Sequence, residues 1–379
     1  MQNPQPRSIT GLPALDNIIE VYRYPATNTS EVPTEGPFSD PFIPPEDDFD
    51  LYHEDNYDNT SPSHGPRAKI NKSMPLIINI SQGPHSSTTA AVNLFYHLMA
   101  LTTLPREHGG KHSTAIYIDC SNSFSATQLY KATLSCIRKA TTDPLPLSAP
   151  PTAVAKEALN HVHVLPCTST RSLFSQLQEL PEYLLDSAAH RSFDRSMDLL
   201  VVHGLNHFYW QDRFDTEIAR LENINSGSVA AASTSLSAQL FDALKEMQEM
   251  YGCTVIYTST QIMSPTTSTT TQGASSRADV TTPTPAPAPN ESAVMDVYAR
   301  NSLVNLHPTR VAVPQFAPAM SLEECLRDKE KRAESIRVAR YWVSASAGGR
   351  SKKQEEPRTG QSGSGFSMQI TKDGVIEFG

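Results

Sequence analysis

The chain has 379 residues, 29 of them proline, and a formal net charge of −9 at pH 7. Its length allows one large domain or two small ones, and the proline content together with long Ser/Thr runs predicts one ordered core with arms that do not pack. The acidic balance excludes a protein that binds nucleic acid over its whole surface, because neutralising phosphates requires concentrated Lys and Arg, although a local basic patch stays open.

Cysteine spacing and hydropathy indicate whether the protein binds zinc, spans a membrane or is secreted. The cysteines are odd in number, far apart and without the paired spacing of a zinc site, so we expect reduced thiols and no metal. They are Cys120, Cys136, Cys167, Cys253 and Cys325. No apolar run approaches the roughly 20 residues that span a bilayer, and the start MQNPQPRS lacks the apolar stretch of a secretion signal. These features predict a soluble intracellular protein.

The first 72 residues divide into two parts. Residues 1–23 contain a stretch, Thr10 to Val21, whose aliphatic residues recur at helical spacing. The aliphatic residues on this helical face are Leu12, Leu15, Ile18 and Ile19. The face either contacts a partner protein or packs within the chain. Residues 24–72 are dense in Pro, Asp, Asn and Ser, and they offer too little apolar surface to fold, so they predict a disordered acidic linker.

Residues 73–262 alternate between two periodicities and form the predicted core. Short β-rich runs are LIINIS after Met74, AIYID before Cys120, HVHVLP from His161, DLLVVHG from Asp198 and TVIYTSTQ from Thr254. Helix-period stretches separate them: Ala90 to Leu101, Ser125 to Lys139, Ser172 to Ala189 and Leu236 to Met250. Such alternation predicts an α/β fold with a mainly parallel sheet, covered on both faces and carrying its sites at the carboxyl ends of its strands.

Two further segments complete the chain. Residues 263–308 read as a Ser/Thr/Pro-rich, low-complexity insertion that cannot repay the entropy of ordering. Residues 309–379 predict a charged helix from Ser321 to Arg337, with the capping-box spacing, and strands that extend one edge of the sheet. The dipeptide Asp373-Gly374 indicates an antiparallel hairpin at the C-terminus.

The segment after the first predicted strand, GPHSSTTA from Gly83 to Ala90, has the position of a phosphate-binding loop but not its chemistry. In such loops backbone N–H groups wrap phosphates, Lys adds charge and Ser/Thr holds magnesium. The residues at the corresponding degenerate positions are Gly83, Pro84, Ser87, Thr88, Thr89 and Ala90. Because no Lys is present, the alternative is an ordinary Ser/Thr-rich turn whose hydroxyls cap a helix, with residual nucleotide binding left open.

The end of DLLVVHG shows a second departure. An Asp at this position would orient magnesium and its waters, but His203 stands there. A neutral imidazole is a poor ligand for a cation that prefers oxygen, so a hydrogen bond at the strand end is the simpler interpretation. We therefore expect no bound cofactor, although ATP with magnesium is not removed by the sequence alone.

These segments, taken in order, resemble the RecA-type recombinases and, among their paralogues, the X-ray repair cross-complementing protein two family. TGLPALDNII from Thr10 resembles the segment that opens the recombinase core, QGPHSSTTAAVNLFYHLMALTTLP its phosphate loop and first helix, and AIYIDCSNSF its second strand. LLVVHGLNHFYWQDRF is the most specific segment, because that paralogue family carries Phe-Tyr-Trp-x-Asp-Arg after its central strand. YGCTVIYTSTQIM and DGVIEF follow in the same order.

The resemblance implies a RecA-like P-loop core that has lost its ATP residues. Thr89, Ser121 and His203 stand where active recombinases carry the loop Lys, a catalytic Glu and the central-strand Asp. Asp119 matches a retained strand-end Asp, and Gln261 matches a sensor of the γ-phosphate, with a buried strand-end amide as the alternative. In that paralogue family ATP hydrolysis is thought to be dispensable.

The role implied by the resemblance is that of a nuclear, non-catalytic adaptor. Such a protein joins other recombinase paralogues and assists assembly of the recombinase filament on single-stranded DNA during homologous recombination. The alternative is a weak DNA-stimulated ATPase whose missing cation comes from Lys111, Lys72 or a neighbour.

Direct contact with DNA is a third hypothesis. The cations are Lys329, Lys331, Arg332, Lys352 and Lys353. Clustered cations with nearby aromatics favour binding to phosphates, but such runs are also typical of a solvated helix face. Phe208, Tyr209 and Trp210 allow base stacking, yet their position directly after a buried strand favours packing in the core.

Overall fold

The computed structural model describes residues 9–23, 76–83, 88–140, 149–226, 236–260, 298–313, 320–348, 365–371 and 376–378. The predicted acidic linker at 24–72, most of the predicted insertion and the Asp373-Gly374 turn lie outside these ranges. Across the described ranges, every helix is too short or too polar to cross a membrane.

Helices and strands alternate through the first two thirds of the chain. The helices are α1 (Pro13–Arg23), α2 (Thr88–Thr103), α3 (Ala126–Ala140), α4 (Pro151–Leu159), α5 (Thr170–Leu185), α6 (Tyr209–Ser226), α7 (Leu236–Tyr251) and α8 (Leu322–Arg337). The strands are β1 (Ile77–Gln82), β2 (Thr114–Asp119), β3 (Val162–Pro166), β4 (Met197–His203), β5 (Thr254–Thr260), β6 (Val304–Arg310), β7 (Ala339–Ala347), β8 (Gly365–Ile370) and β9 (Ile376–Phe378).

All nine strands form one sheet, in the order β3-β2-β4-β5-β1-β6-β7-β8-β9. The pairs from β3 to β6 are parallel. Those from β6 to β9 are antiparallel, so β8 and β9 form a C-terminal hairpin. The prediction of an α/β fold with a mainly parallel sheet and a C-terminal antiparallel extension is confirmed.

Helices cover both faces of this sheet. One core cluster packs α1, α2 and α3 against the strands, and α4 joins α2 and α3 in a smaller cluster. A second cluster packs α5 and α7 on the other face. The division follows from chain direction, because right-handed crossovers put helices on opposite faces when the strand order reverses. That reversal occurs at β3, since the chain moves outward from β1 to β3 and then returns through β4 and β5.

The predicted insertion at 263–308 extends too far, because β6 begins at Val304. A proline inside a short run argues against a strand, and Pro308 lies in this one. The structure accommodates it because β1 pairs only with Val304 to Leu306, while Pro308 faces the antiparallel strand β7. Helices α4 and α6 were not predicted either. The first is short and follows a proline-rich stretch, and the second buries none of its described side chains.

The apolar face of α1 packs against the core of its own chain. Of the two alternatives for Thr10 to Val21, the structure shows packing within the chain and not a partner contact through this face. Leu15 and Ile19 are fully buried in the first core cluster. Asp16 accepts hydrogen bonds from the Thr10 backbone N–H at 2.7 Å and from its hydroxyl at 2.6 Å, which fixes the turn before the helix. The Tyr22 hydroxyl donates to the carbonyl of Ala345 on β7 at 3.1 Å.

Truncation of this face tests the packing. We expect Leu15→Ala to lower the free energy of unfolding by about 2–5 kcal/mol, because it removes a buried aliphatic side chain and leaves a cavity. Val21→Ala is the matched control, since Val21 is 59% exposed on the same helix and its change should stay within about 0.5 kcal/mol. Urea denaturation of both variants measures the difference, and equal midpoints would contradict packing within the chain.

Buried histidines make the stability of the fold dependent on pH. Burial lowers the pKa of His97 to about 4, and burial with the nearby His190 and His161 lowers that of His163 to about 4. An unfolded histidine titrates near about 6.5. Between about pH 6.5 and about pH 4 these histidines bind protons in the unfolded chain but not in the folded chain. Their neutral form therefore contributes its full share to the free energy of unfolding above the unfolded pKa, and that free energy falls as the pH decreases toward about 4.

Replacing both histidines should reduce this pH dependence. We expect the urea midpoint of the wild-type chain to fall between about pH 6.5 and pH 4. The variant His97→Gln with His163→Gln begins at a lower midpoint but loses less of it over this range, because Gln does not titrate. Parallel curves for the two proteins would show that these histidines do not set the acid sensitivity.

Candidate functional site

The carboxyl ends of β2 and β4 lie side by side, and the chain leaves them in opposite directions across the sheet, from β2 outward to β3 and from β4 back to β5. The connection after β2 continues into α3 on one face, and the connection after β4 continues toward α7 on the other. In open α/β sheets, ligand sites form in the crevice between such strands. The register places Asp119 directly opposite His203 at this edge.

The segment predicted to be a degenerate phosphate loop follows β1, at the same edge of the sheet. Gly83 follows the strand and Thr88 begins α2, whereas Pro84 and Ser87 lie outside the described residues. Thr88 and Thr89 are exposed and Ala90 is fully buried, so the helix enters the core one residue after the position of the expected Lys.

Gln82 lies at the base of this loop. The Gln82 amide carries a buried Nε2 with no hydrogen-bond partner, and its Oε1 accepts from the Thr260 hydroxyl at 3.5 Å.

Asp119 organises the turn that follows β2. Its Oδ1 accepts from the backbone N–H and the hydroxyl of Ser121, both at 3.0 Å, and its Oδ2 accepts from the backbone N–H of Phe124 at 2.8 Å. Asn122 between them has a left-handed backbone, with φ of 52°, a conformation that Asn tolerates. Both oxygens of this buried carboxylate are therefore held by donors of its own loop.

His203 is buried in a cluster of hydroxyls. Its Nδ1 lies 2.8 Å from the Tyr117 hydroxyl, 3.1 Å from that of Ser123 and 3.3 Å from that of Ser121. Burial lowers the pKa of His203, with Asp119 opposing the shift, so the ring is neutral at pH 7. Phe95 of α2 packs edge-on against the ring, with centroids 5.8 Å apart.

The loop after β4 is tied to β5. The Gly204 backbone N–H donates to the Thr258 hydroxyl at 2.7 Å, and Gly204 adopts φ of 83°. Asn206 donates to the carbonyl of Thr260 at 2.7 Å and accepts from its N–H at 2.9 Å. The chain therefore leaves β4 through a fixed turn, which holds His203 against β2 and starts α6 at Tyr209.

Two thiols adjoin this network. Cys120 follows Asp119, and the backbone N–H of Cys167 donates to the carbonyl of Asp119 at 2.9 Å. A hydrogen bond from the Cys120 thiol lowers the pKa of Cys167 and raises that of Cys120. All five cysteines are free, and every one but Cys325 is buried.

The structure brings together two of the three predicted loss positions, Ser121 and His203, with the retained Asp119. Thr89 lies at the start of α2, where its backbone carbonyl accepts a hydrogen bond from the Asn93 side-chain amide at 2.8 Å. Gln261 directly follows the described part of β5 and lies outside it. Tyr117 on β2 and Ser123 in the loop after it were not predicted, because only the pairing of β2 with β4 brings them within reach of His203.

Lys111 does not supply the missing loop cation. Lys111 precedes β2, whereas the segment predicted to be a phosphate loop follows β1. The two therefore lie at opposite ends of the parallel strands. The Lys111 Nζ donates to the carbonyl of Ile9, and it lines a small space with Asp198 and Thr254 at the amino ends of β4 and β5. Lys72 lies outside the described residues.

The predicted DNA-contacting cations divide between a described helix and an undescribed segment. Lys329, Lys331 and Arg332 lie on α8, which connects the carboxyl end of β6 to the start of β7 and thus belongs to the same edge as the loop. The helix carries five basic and five acidic residues, so its net charge is zero. Lys352 and Lys353 lie outside the described residues.

The aromatic run after β4 is only partly in the core. Phe208 packs against the second core cluster, Tyr209 is half-buried, and Trp210 is 55% exposed. The expectation of core packing is therefore wrong for Trp210, because α6 turns that side chain away from the sheet.

The described groups at this edge form a closed network of neutral hydroxyls, one neutral imidazole and one carboxylate. Within the described ranges, no group of three or more His, Cys, Asp or Glu side chains has the geometry to hold a metal ion. The carboxylate that best suits magnesium, Asp119, is already occupied by its own loop. The arrangement can fix the ends of β2 and β4, and it holds His203 as a hydrogen-bonding partner.

Comparison with known proteins adds no family assignment. No protein-family model matches the sequence, and no curated protein matches it significantly.

A double-mutant cycle measures the coupling between Tyr117 and His203. We expect Tyr117→Phe to cost about 1 kcal/mol of unfolding free energy, and His203→Leu to cost about 1–3 kcal/mol because it leaves the buried hydroxyl short of a partner. The double variant should recover about 0.5 kcal/mol or more of the sum. Tyr22→Phe is the control, since its hydroxyl bonds to Ala345 instead and its effect should add to that of His203→Leu. Additivity for Tyr117 would contradict the network.

Proposed function

We propose that this chain is a non-catalytic paralogue of the RecA-type recombinases. It acts in the nucleus as an adaptor that joins other recombinase paralogues and assists assembly of the recombinase filament on single-stranded DNA during homologous recombination. The proposal accounts for a retained α/β core whose nucleotide-binding positions carry different chemistry.

Two features of the fold support the proposal. A mainly parallel sheet with a C-terminal antiparallel hairpin is compatible with a RecA-like core. The segments that resemble recombinase paralogues also fall on corresponding elements, because GPHSSTTA runs from the end of β1 into α2, and the Phe-Tyr-Trp run follows β4 after four residues, at the start of α6.

The observation that carries the non-catalytic part is the environment of His203. An Asp in its place would need room for magnesium and water, whereas His203 is 2% exposed and faces the Tyr117, Ser121 and Ser123 hydroxyls. A buried neutral ring cannot balance a divalent cation, and the adjacent carboxylate is satisfied by backbone donors. The site is therefore suited to holding the strand ends together.

Nucleotide binding tests this part directly. We expect calorimetric titration of MgATP, with and without single-stranded DNA, to give no heat of binding, because the loop supplies no cation. A variant with Thr88→Gly, Thr89→Lys and Ala90→Ser restores the Gly-Lys-Ser ending and is the matched comparison. Saturable MgATP binding by the unmodified chain, with an affinity equal to that of the variant, would overturn the non-catalytic assignment and favour the weak ATPase.

Partner identity tests the adaptor role. We expect the tagged full chain, purified from cells with and without a DNA-crosslinking agent, to retain recombinase paralogues that mass spectrometry identifies. The control is Ile19→Asp, which places a charge in a fully buried position and disrupts the folded core while keeping the tag and the rest of the sequence. Absence of every paralogue, together with unchanged crosslink resistance after deletion of the gene, would refute the role.

A further inference from the structure

Helix α6 carries an apolar stripe that nothing in the described chain covers. Trp210, Phe214, Ile218 and Leu221 follow one another at spacings of four, four and three residues, so they share one side of the helix. Their exposed fractions lie between 40% and 64%. None of the described side chains of α6 is buried, unlike those of α2, α5 and α7.

A helix of this kind is not self-sufficient. Isolated helices of about 12–15 residues are marginal in water, and in folded proteins packing of an apolar face supplies most of their stability. The α6 sequence contains only one alanine and several β-branched, aromatic and Asn residues, which are moderate helix formers. The exposed stripe therefore has the character of an interface whose second half is missing.

The charges beside the stripe are sorted by side. Arg213 and Arg220 are seven residues apart and lie along one flank, while Asp215 and Glu222 have the same spacing along the other. The Arg213 guanidinium lies 5.4 Å from the centre of the Trp210 ring. Glu217 lies on the basic side, with its Oε1 3.9 Å from the Nε of Arg220. With two Arg and one Glu, that flank keeps a net positive charge.

This sorting selects the occupant. When two copies of the helix pack in parallel about a two-fold axis, the basic flank of each faces the acidic flank of the other. In an antiparallel pair like charges would meet, which destabilises the contact. Between Tyr209 and Glu222 the helix carries four acidic and two basic residues, which gives a net charge of −2. A negative charge disfavours binding to the phosphates of nucleic acid.

We propose that the chain associates with a second copy of itself through α6, with the two apolar stripes packed together and the helices parallel. Trp210 and Phe214 are the aromatic anchors, and the flanking Arg and carboxylate pairs fix the orientation. This association is independent of the recombination role.

Sedimentation velocity of the full chain over a wide range of concentration tests the proposal. We expect a monomer–dimer equilibrium that Phe214→Asp weakens by about thirtyfold or more, as for the loss of a central aromatic anchor. Leu326→Asp is the matched control: Leu326 is 57% exposed, compared with 64% for Phe214, and lies on α8, which also buries no side chain. Because both sites are exposed, the far-ultraviolet circular dichroism of the monomers should show a folded core.

A charge exchange tests the orientation. The variant Arg213→Glu with Arg220→Glu and the variant Asp215→Lys with Glu222→Lys should each fail to self-associate, because both flanks then carry one sign. Mixed together they should form a heterodimer, since opposite signs meet on both sides. Should Phe214→Asp fail to fold, this exchange tests the same surface without touching the stripe.

Several results would overturn the inference: a wild-type chain that stays monomeric, a dimer that Phe214→Asp and Leu326→Asp affect equally, or charge variants that fail to recover association when mixed. Binding of a single-stranded oligonucleotide by a monomer, abolished by Phe214→Asp alone, would assign the stripe to base stacking instead.

Discussion

The reversal of chain direction across the sheet is the constraint on which the rest of the structure depends. Right-handed crossovers send the helices after β1 and β2 to one face and those after β3 and β4 to the other. Strands β2 and β4 become neighbours although they are far apart in the sequence, so Asp119 and His203 meet at one edge. The loop after β1 opens at that edge too. A change in crossover order would separate these groups without altering any of them.

The chemistry at this edge explains how the carboxyl ends of β2 and β4 are held together. A buried carboxylate is costly unless donors surround it, and here the turn after β2 supplies them. A buried imidazole is tolerated when neutral, and three hydroxyls compete for one ring nitrogen. Such a network stabilises the strand ends through many weak bonds. It offers neither an unoccupied carboxylate nor a fixed cation, so its contribution is to the scaffold.

Sequence periodicity predicted β1 to β5, four of the helices between them and α8, because buried strands and amphipathic helices have distinct repeats. It missed β6, where Pro308 disguised a strand that pairs normally only along part of its length. It placed His203 at the end of β4 and Ser121 just after β2, where the structure has them. It did not find Tyr117 and Ser123, because their contacts with His203 join residues 80 or more positions apart in the sequence. Trp210 was expected in the core because it is a large aromatic residue close to a buried strand. The expectation failed because hydrophobicity alone does not tell which face of a helix meets the sheet.

The two outermost strands of the sheet affect whether copies of the chain can pair through their backbones. The outermost strands, β3 and β9, have five and three residues, and Pro166 ends the first of them. Unpaired strand edges invite pairing with another chain, and short edges with a proline offer little backbone for it. Growth of the sheet from molecule to molecule is thereby discouraged. Side chains on helices differ from such edges, because their spacing and charge can discriminate between partners in a way that a bare backbone cannot.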